Sequence, residues 1–297
     1  MVAAPVPAPS GRLSGNLLAA ASTAVWAAGF PAAGVLLETW DPLAAAAARL
    51  SLGAAALLAI WLLVEGVPRA FPWARGLAVG ALGFGGSALA LVFAQSVADP
   101  VTVAVIASVS PLTAAAVEWA RDRRAMPPSF LLGLGASILG GVVATRGSGA
   151  GGEGLALGAG LTVLSCLVYS WGSDATVRSL PGRSGLSQAA VTLLGAALVG
   201  VAACAGGLAF GVAALPAEVT ARDAGLLAVY ALGGMAAAQV LFILAIQRIG
   251  VTLASFYLNG APFVVMLILW AAGGGWSWTQ AVGALIVAGG VVLAQRR

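Results

Sequence analysis

Residues 42–64 read PLAAAAARLSLGAAALLAIWLLV, and the only charged side chain in this run is Arg49. A helix needs about 20 mainly apolar residues to cross the hydrocarbon core of a bilayer, so the run is long enough. It lacks the alternation of apolar and polar residues that is typical of strands in membrane barrels. The run therefore predicts a membrane-spanning helix.

Apolar runs of this kind recur along the whole chain, and the connections between them are short. The sequence therefore predicts an all-α membrane protein with ten transmembrane helices. The Pro- and Ala-rich residues 1–12 are expected to form a disordered N-terminal tail. The predicted spans are residues 13–37, 42–64, 75–97, 101–120, 129–145, 155–176, 187–210, 223–246, 251–272 and 279–294.

The composition of the chain favours the same class of protein. Of its 297 residues, 61% are hydrophobic and only 8% are charged, whereas soluble domains contain about 25% charged residues. So few charges could not cover the surface of a soluble globule, and a disordered chain would need low hydrophobicity and high charge. We expect an integral protein of the lipid bilayer, located in the bacterial inner membrane.

Missing residue types exclude several kinds of chemistry. The chain contains no histidine, and all 14 of its basic residues are arginine. Without lysine there is no P-loop for nucleotide phosphates, and without histidine there are no Ser-His dyads or His-based metal sites. We expect no enzyme activity, no cofactor, no metal and no nucleic-acid partner. The two cysteines, Cys166 and Cys204, lie in separate apolar runs and are expected to be small membrane-facing fillers, without a disulfide or a metal.

The positions of the arginines predict the orientation, because cytoplasmic loops carry an excess of positive charge. If the N-terminus is cytoplasmic, only Arg146 and Arg222 fall in outer loops. We therefore expect both termini in the cytoplasm, which requires an even number of spans. The cytoplasmic segments then hold Arg12, Arg69, Arg75, Arg121, Arg123, Arg124, Arg178, Arg183, Arg248, Arg296 and Arg297.

The two halves of the chain share short stretches in the same order and at a nearly constant offset. Residues 13–146 and 155–297 are therefore predicted to be two five-helix repeats, joined by a Gly-rich linker at residues 147–154. Five is an odd number, so the second repeat has inverted topology, as in many secondary transporters. The matching stretches are Ala-Leu-Gly at 81–83 and 231–233, Val-Thr at 101–102 and 251–252, Gly-Gly-Val-Val at 140–143 and 289–292, Pro111 and Pro262, and Gln95 and Gln247.

Four features resemble the EamA-type drug/metabolite transporters. They are residues 98–119 (ADPVTVAVIASVSPLTAAAVEW), residues 242–250 (FILAIQRIG), residues 250–270 (GVTLASFYLNGAPFVVMLILW) and Arg49 in the second span. The resemblance covers essentially residues 13–297, and within this family the chain resembles the YddG-type exporters of aromatic and other amino acids. It implies a secondary transporter that exports small metabolites, most specifically amino acids, by alternating access. Alternatives are a multidrug or sugar-nucleotide carrier of the same superfamily and a passive channel.

The resemblance also implies that spans one, three, four, six, eight and nine surround the substrate. Deep polar groups on these spans face protein or water, since an unpaired amide in hydrocarbon costs several kcal/mol. Pro111 and Pro262 either expose carbonyls beside them or only kink their helices. Trp26, Trp171, Tyr169 and Tyr257 lie well inside their helices, and they either line the cavity or pack within the bundle. The candidate substrate-binding residues are Asn259, Tyr257, Gln239, Ser108, Ser110, Gln95, Trp26, Tyr169 and Arg49.

Arg49 is the one charge clearly within a predicted span. It pairs with Glu38 or Asp41 at the outer level, or its head group reaches to the interface as an anchor, or it captures a substrate carboxylate. Because no carboxylate lies deep in a span, neutral or zwitterionic solutes fit better than bare cations. The sequence does not indicate the oligomeric state. The tryptophans near span ends are expected to anchor at the membrane interface; they are Trp40, Trp61, Trp73, Trp119, Trp270, Trp276 and Trp278.

Overall fold

The computed structural model describes residues 9–66, 70–122, 128–146, 153–249, 254 and 257–294. Most of the predicted tail, residues 1–8, lies outside the described residues, while residues 9–12 already belong to the first helix. Most of the predicted Gly-rich linker, residues 147–152, also lies outside them, and the next helix begins at Glu153.

The described part of the chain is helical throughout and contains no strand. Two long helices are each interrupted by a π-helical segment, and a third is interrupted by a short turn. A 3-10 helix directly precedes the α-helix that begins at Ala261. The elements are α1 (Pro9–Leu36), α2 (Pro42–Glu65), α3 (Trp73–Val79), π1 (Gly80–Gly85), α4 (Gly86–Val97), α5 (Pro100–Ala107), α6 (Ser110–Asp122), α7 (Pro128–Arg146), α8 (Glu153–Ser179), α9 (Gly185–Ala209), α10 (Ala221–Ala228), π2 (Val229–Ala237), α11 (Ala238–Ile249), the 3-10 helix (Tyr257–Gly260), α12 (Ala261–Ala271) and α13 (Trp278–Ala294).

Seven helical segments among the described residues are long and apolar enough to cross a membrane. The all-α membrane class is therefore confirmed. Three shorter apolar helices, Pro128–Ala144, Tyr257–Ala271 and Trp278–Leu293, coincide with the remaining predicted spans, so the number ten stays a prediction. The seven longer segments are Leu13–Leu36, Pro42–Glu65, Trp73–Val97, Pro100–Arg121, Gly154–Ser179, Gly185–Ala209 and Ala221–Ala245.

Two Asp-Pro pairs define where α2 and α5 begin. The carboxylate of Asp41 accepts a hydrogen bond from the backbone N–H of Leu43 at 2.8 Å. Asp99 accepts hydrogen bonds from the backbone N–H groups of Val101 and Thr102 at 3.1 and 3.0 Å. A proline in the first turn of a helix loses no hydrogen bond within the helix, although it lacks a backbone N–H. Its φ angle also suits a helix. These caps fix the register of α2 and α5 and thereby the depth of the polar residues further along them.

The π-helical segments π1 and π2 contain the two copies of the repeated Ala-Leu-Gly sequence. Backbones come very close at π1. A Cβ atom on Gly80 would lie 2.0 Å from the carbonyl oxygen of Thr192, and one on Gly83 would lie 2.5 Å from the Cα atom of Gly172. Glycine is therefore required where π1 crosses α9 and α8, and π-helical turns frequently occur at functional sites.

The helices pack in pairs that join the two halves of the chain: α7 against α13, α2 against α9, α1 against α11 and α4 against α8. Glycine makes the first pair possible. A Cβ atom on Gly140 would lie 2.7 Å from the carbonyl oxygen of Gly283, and one on Gly290 would lie 2.7 Å from that of Gly133. Close approach through small residues is the common way in which membrane helices associate, since lipid supplies no hydrophobic drive between them.

The tryptophans near the span ends divide into two groups. Trp270 and Trp278 are exposed, in agreement with an interfacial anchor, but Trp40 and Trp61 are buried. Trp61 is 1% exposed, and its indole N–H donates a hydrogen bond to Glu65 at 3.0 Å. The interfacial interpretation of Trp61 is therefore wrong, because depth along a helix does not tell which face of the helix a side chain occupies.

Candidate substrate-binding site

A cavity of about 140 Å³ lies between the helices of both halves of the chain. Residues of α1, α2, α4, α5, α6, α8, α9, α11 and both π segments line it, together with Leu258 of the 3-10 helix. Helix α2 contributes Arg49, a predicted site residue, whereas α9, the seventh predicted span, was not expected to contribute. The polar lining residues are Arg49, Ser22, Ser87, Ser110, Ser165, Thr192 and Gln239.

An aromatic wall forms part of the cavity. Trp26 of α1 lines it and packs edge-on against Phe30, with ring centroids 4.8 Å apart. Phe84 of π1 and Tyr169 of α8 also line it and meet edge-on at 5.2 Å. The hydroxyl of Tyr169 donates a hydrogen bond to the amide oxygen of Gln239 at 3.1 Å. The phenol therefore has the polar partner that a buried tyrosine needs, and its ring face remains available to a ligand.

Four hydroxyl groups of the cavity lining, outside the aromatic wall, donate their hydrogens to the protein backbone. A hydroxyl has one hydrogen and two lone pairs, so an oxygen whose hydrogen is already donated can still accept a hydrogen bond. This part of the cavity therefore offers hydrogen-bond acceptors. The bonds join Ser22 Oγ to Ala238 O at 2.8 Å, Ser110 Oγ to Ala107 O at 2.6 Å, Ser165 Oγ to Ser87 O at 2.9 Å and Thr192 Oγ1 to Gln188 O at 2.7 Å.

Arg49 lines the cavity although it is only 5% exposed. The central carbon of its guanidinium group lies 3.9 Å from the ring centroid of Tyr230, in a cation–π contact. Tyr230 is fully buried, and its hydroxyl donates a hydrogen bond to the amide oxygen of Gln95 at 2.6 Å. Gln95 is therefore connected to the cavity through Tyr230 and does not line it.

The ion pair expected for Arg49 is not formed. In the described ranges neither Glu38 nor Asp41 bridges to it, and Asp41 instead caps α2. Other described carboxylates are engaged elsewhere. Asp174 pairs with two arginines at the ends of α6 and α8, and Glu65 accepts hydrogen bonds from Trp61 and Ser184. No carboxylate lines the cavity in the part of the chain that the structure describes.

Five of the predicted site residues meet at this cavity: Trp26, Arg49, Ser110, Tyr169 and Gln239. The other four, Gln95, Ser108, Tyr257 and Asn259, lie outside its lining. Ser108 donates a hydrogen bond to the carbonyl of Ala104 at 3.0 Å, and Tyr257 packs beside Ala19, Ala245 and Ala254. Asn259 is buried in the 3-10 helix, and its amide oxygen accepts no hydrogen bond.

The two repeated prolines stand where helices begin. Pro111 is the second residue of α6, after the turn at Ser108 and Val109, and Pro262 is the second residue of α12, after the 3-10 helix. Proline is favoured in the first turn of a helix because it has no backbone N–H, and N–H groups in the first turn have no partner within the helix in any case. The prolines therefore start new helical segments, and neither kinks a continuous helix. The break in the fourth predicted span brings Ser110 to the cavity.

Sequence reasoning missed four residues at this site: Phe84, Thr192, Tyr230 and Phe242. Tyr230 had a usable signal, because it directly precedes the second copy of Ala-Leu-Gly. Thr192 had none, since the close approach of π1 to α9 is a property of the packed structure. Both cysteines are free, but they are buried and Cys166 lines the cavity, so the expected membrane-facing position is wrong.

Comparison with known proteins gives one family match. Residues 13–146, somewhat less than half of the chain, match the EamA-like transporter family. No curated protein matches the chain. Sixteen chains of solved structures match it. One of these, a crystal structure of a protein, has a TM-score of 0.68 and 20% identity over 96% of this chain and 98% of its own length.

At this identity the structural likeness concerns the fold alone, which recurs over almost the full length of both chains. The family match supports the resemblance to drug/metabolite transporters and a membrane transporter of small molecules. Together with the seven long apolar helices, it indicates an integral membrane protein that contacts lipid.

Proposed function

We propose that this protein is a secondary transporter that exports small metabolites, most specifically aromatic or neutral amino acids, across the bacterial inner membrane. The observation that carries the proposal is the cavity between the two halves, with one arginine, an aromatic wall and hydroxyl acceptors. Transport requires no cofactor in this scheme. The substrate enters from the cytoplasm, where both termini lie.

Alternating access in this proposal rests on a 5+5 inverted repeat. Three features support it. Several contacts between the first five predicted spans and the last five have a counterpart when the halves are exchanged; for example, α1 packs against α11 and α8 against α4. The π segments occupy corresponding places, and so do the helix starts at Pro111 and Pro262. Related halves can adopt each other's conformation, which opens the site to either side in turn.

The size of the cavity favours a small metabolite over a bulky drug or a nucleotide sugar. Its volume is about 140 Å³, whereas pockets for drug-sized ligands have roughly 300–1,000 Å³. Its groups also suit an amino acid: Arg49 can donate to a carboxylate, hydroxyl oxygens can accept from an ammonium, and the aromatic wall can contact an apolar side chain. A cationic drug would find an arginine and no carboxylate among the described lining residues.

A flux panel tests the proposed substrate class. Purified protein in liposomes is offered labelled phenylalanine, leucine, a nucleotide sugar and a lipophilic cation under a concentration gradient. We expect saturable flux of the amino acids and none of the other two compounds. Trp26→Ala removes part of the cavity wall and is expected to reduce amino-acid flux. Trp171→Ala is the matched control, because Trp171 is exposed and lies outside the cavity. Flux of the cation alone would contradict the proposal.

A further inference from the structure

We propose that Arg49 selects substrates by their carboxylate, so that the cavity accepts small monocarboxylic acids with an apolar or aromatic body whether or not they carry an ammonium group. The inference rests on the proposed function, because it concerns the same cavity. In this inference the carboxylate of the substrate is essential for binding and its ammonium group is dispensable.

The first argument is the unbalanced charge of Arg49. The guanidinium group is buried beside the cavity, and no described carboxylate lines that cavity or pairs with Arg49. A buried charge without a counter-charge is costly, and charged residues inside a membrane domain are kept facing an interior site. A bound anion removes this cost, whereas a bound cation adds to it.

The second argument is the way in which Arg49 is held. The ring of Tyr230 covers one face of the guanidinium group at 3.9 Å, and the bond from Tyr230 to Gln95 fixes that ring. The Nε atom of Arg49 is buried and donates no hydrogen bond. A guanidinium group presents its N–H donors along its edge, in a fork that matches the two oxygens of a carboxylate. Stacking on the ring therefore orients the group and leaves donors for an anion.

The third argument concerns the other end of the substrate. The remaining described polar groups of the lining are neutral hydroxyls and the amide of Gln239, and two of the aromatic rings belong to Trp26 and Tyr169. These groups can accept from an ammonium or face an apolar group, but they supply no negative charge. An ammonium is therefore tolerated, and an amine without a carboxylate places a second positive charge beside Arg49.

A matched set of three ligands tests this inference by binding in detergent solution. Phenylalanine carries both charged groups, 3-phenylpropionate carries only the carboxylate, and phenethylamine carries only the ammonium. Titration calorimetry of the intact protein is expected to show binding of the first two and at least tenfold weaker binding of the third. Arg49→Gln should weaken both carboxylates about 10- to 100-fold, in line with hydrogen bonds to charged groups. Arg49→Lys keeps the positive charge but loses the forked arrangement of N–H donors. Its affinity for the carboxylates should lie between those of the natural chain and Arg49→Gln.

Several outcomes would overturn the inference: tight binding of phenethylamine, no binding of either carboxylate, or unchanged affinity for 3-phenylpropionate in folded Arg49→Gln. If Arg49→Gln does not fold, the order of the three ligands on the natural chain still decides. Carboxylate-selective binding without flux in liposomes would refute the proposed transport alone. Flux that prefers the amine would refute the inference and leave transport in place.

Discussion

At the scale of single residues, the candidate site depends on a buried arginine that faces a cavity whose described lining contains no carboxylate. Tyr230 lies under its guanidinium group, and Gln95 accepts the tyrosine hydroxyl at 2.6 Å. Two other amide side chains deep in the bundle occupy different environments. Gln239 lines the cavity and holds Tyr169, whereas Asn259 lies outside the lining. Substitutions of Gln239 and Asn259 are therefore expected to affect substrate binding differently, although both residues carry an amide.

The first residue-scale prediction compares these two amides. Gln239→Leu removes the acceptor of the Tyr169 hydroxyl inside the cavity. We expect about 2- to 10-fold weaker binding of phenylalanine, the range that corresponds to one ordinary hydrogen bond. Asn259→Leu is the matched change outside the cavity and should leave the affinity within a factor of about two. Calorimetry of both variants checks this. Weaker binding in Asn259→Leu with normal binding in Gln239→Leu would move the site towards the 3-10 helix.

The second residue-scale prediction concerns Tyr230→Phe. The change keeps the ring under Arg49 but leaves the buried amide oxygen of Gln95 without its donor. We expect a loss of about 1–3 kcal/mol in the free energy of unfolding, because an unsatisfied buried polar group carries its full desolvation cost. Binding of carboxylates should persist in the folded variant. Denaturation in detergent measures the first effect, and unchanged stability would show that the bond contributes nothing.

At the scale of elements, glycines at helix crossings and interrupted helices give the bundle its shape. Gly83 of π1 faces Gly172 of α8 so closely that a Cβ on either would come within 3.0 Å of the other's backbone. The related crossing of π2 with α1 places Gly234 against Gly29. These contacts join the two halves of the chain at points where one helix of each crossing is π-helical.

The element-scale prediction uses two glycines of the same helix. Gly172→Ala places a methyl group 2.8 Å from the Cα atom of Gly83. We expect a loss of about 1–3 kcal/mol in stability, as for other overpacked sites. Gly160→Ala meets no atom within 4 Å and should be neutral or raise the stability by about 0.5–1 kcal/mol, since alanine favours helix. Equal effects of the two changes on unfolding in detergent would argue against a tight crossing.

Much of the helical layout could be predicted from the sequence, because hydropathy and Asp-Pro pairs are local signals. Depth in apolar runs did not separate Trp26 and Tyr169, which line the cavity, from Trp171 and Tyr257, which do not. The π segments could not be predicted, since one extra residue per turn leaves no mark on hydropathy. Thr192 was missed for a different reason. Its helix reaches the cavity only because Gly80 lets two backbones meet.

At the scale of the whole molecule, the proposed transport depends on the orientation predicted from the arginines and on the cavity between the two halves of the chain. The family match supports a membrane transporter, and the fold recurs in solved structures. Alternating access requires that the connections on the two sides of the bundle face different compartments. The orientation predicted from the arginines can be tested separately from transport.

The orientation prediction uses two exposed positions in connections of opposite side. Single cysteines at Ala217 and Pro181 are introduced into a chain in which both natural cysteines are replaced by alanine. A membrane-impermeant maleimide added to intact cells should label Ala217→Cys, in the predicted outer connection between α9 and α10. Pro181→Cys, between α8 and α9, should react only after the cells are opened. The reverse pattern would invert the predicted topology.

The central claim is that substrate crosses by alternating access of one saturable site, and counterflow tests it most directly. Liposomes containing the purified protein are loaded with unlabelled phenylalanine and diluted into tracer without ATP. The account predicts a transient accumulation of tracer above its equilibrium level, abolished in Arg49→Gln, because only a carrier exchanges outgoing for incoming substrate on the same site. Monotonic equilibration of tracer without an overshoot, or flux that requires ATP, would contradict the account.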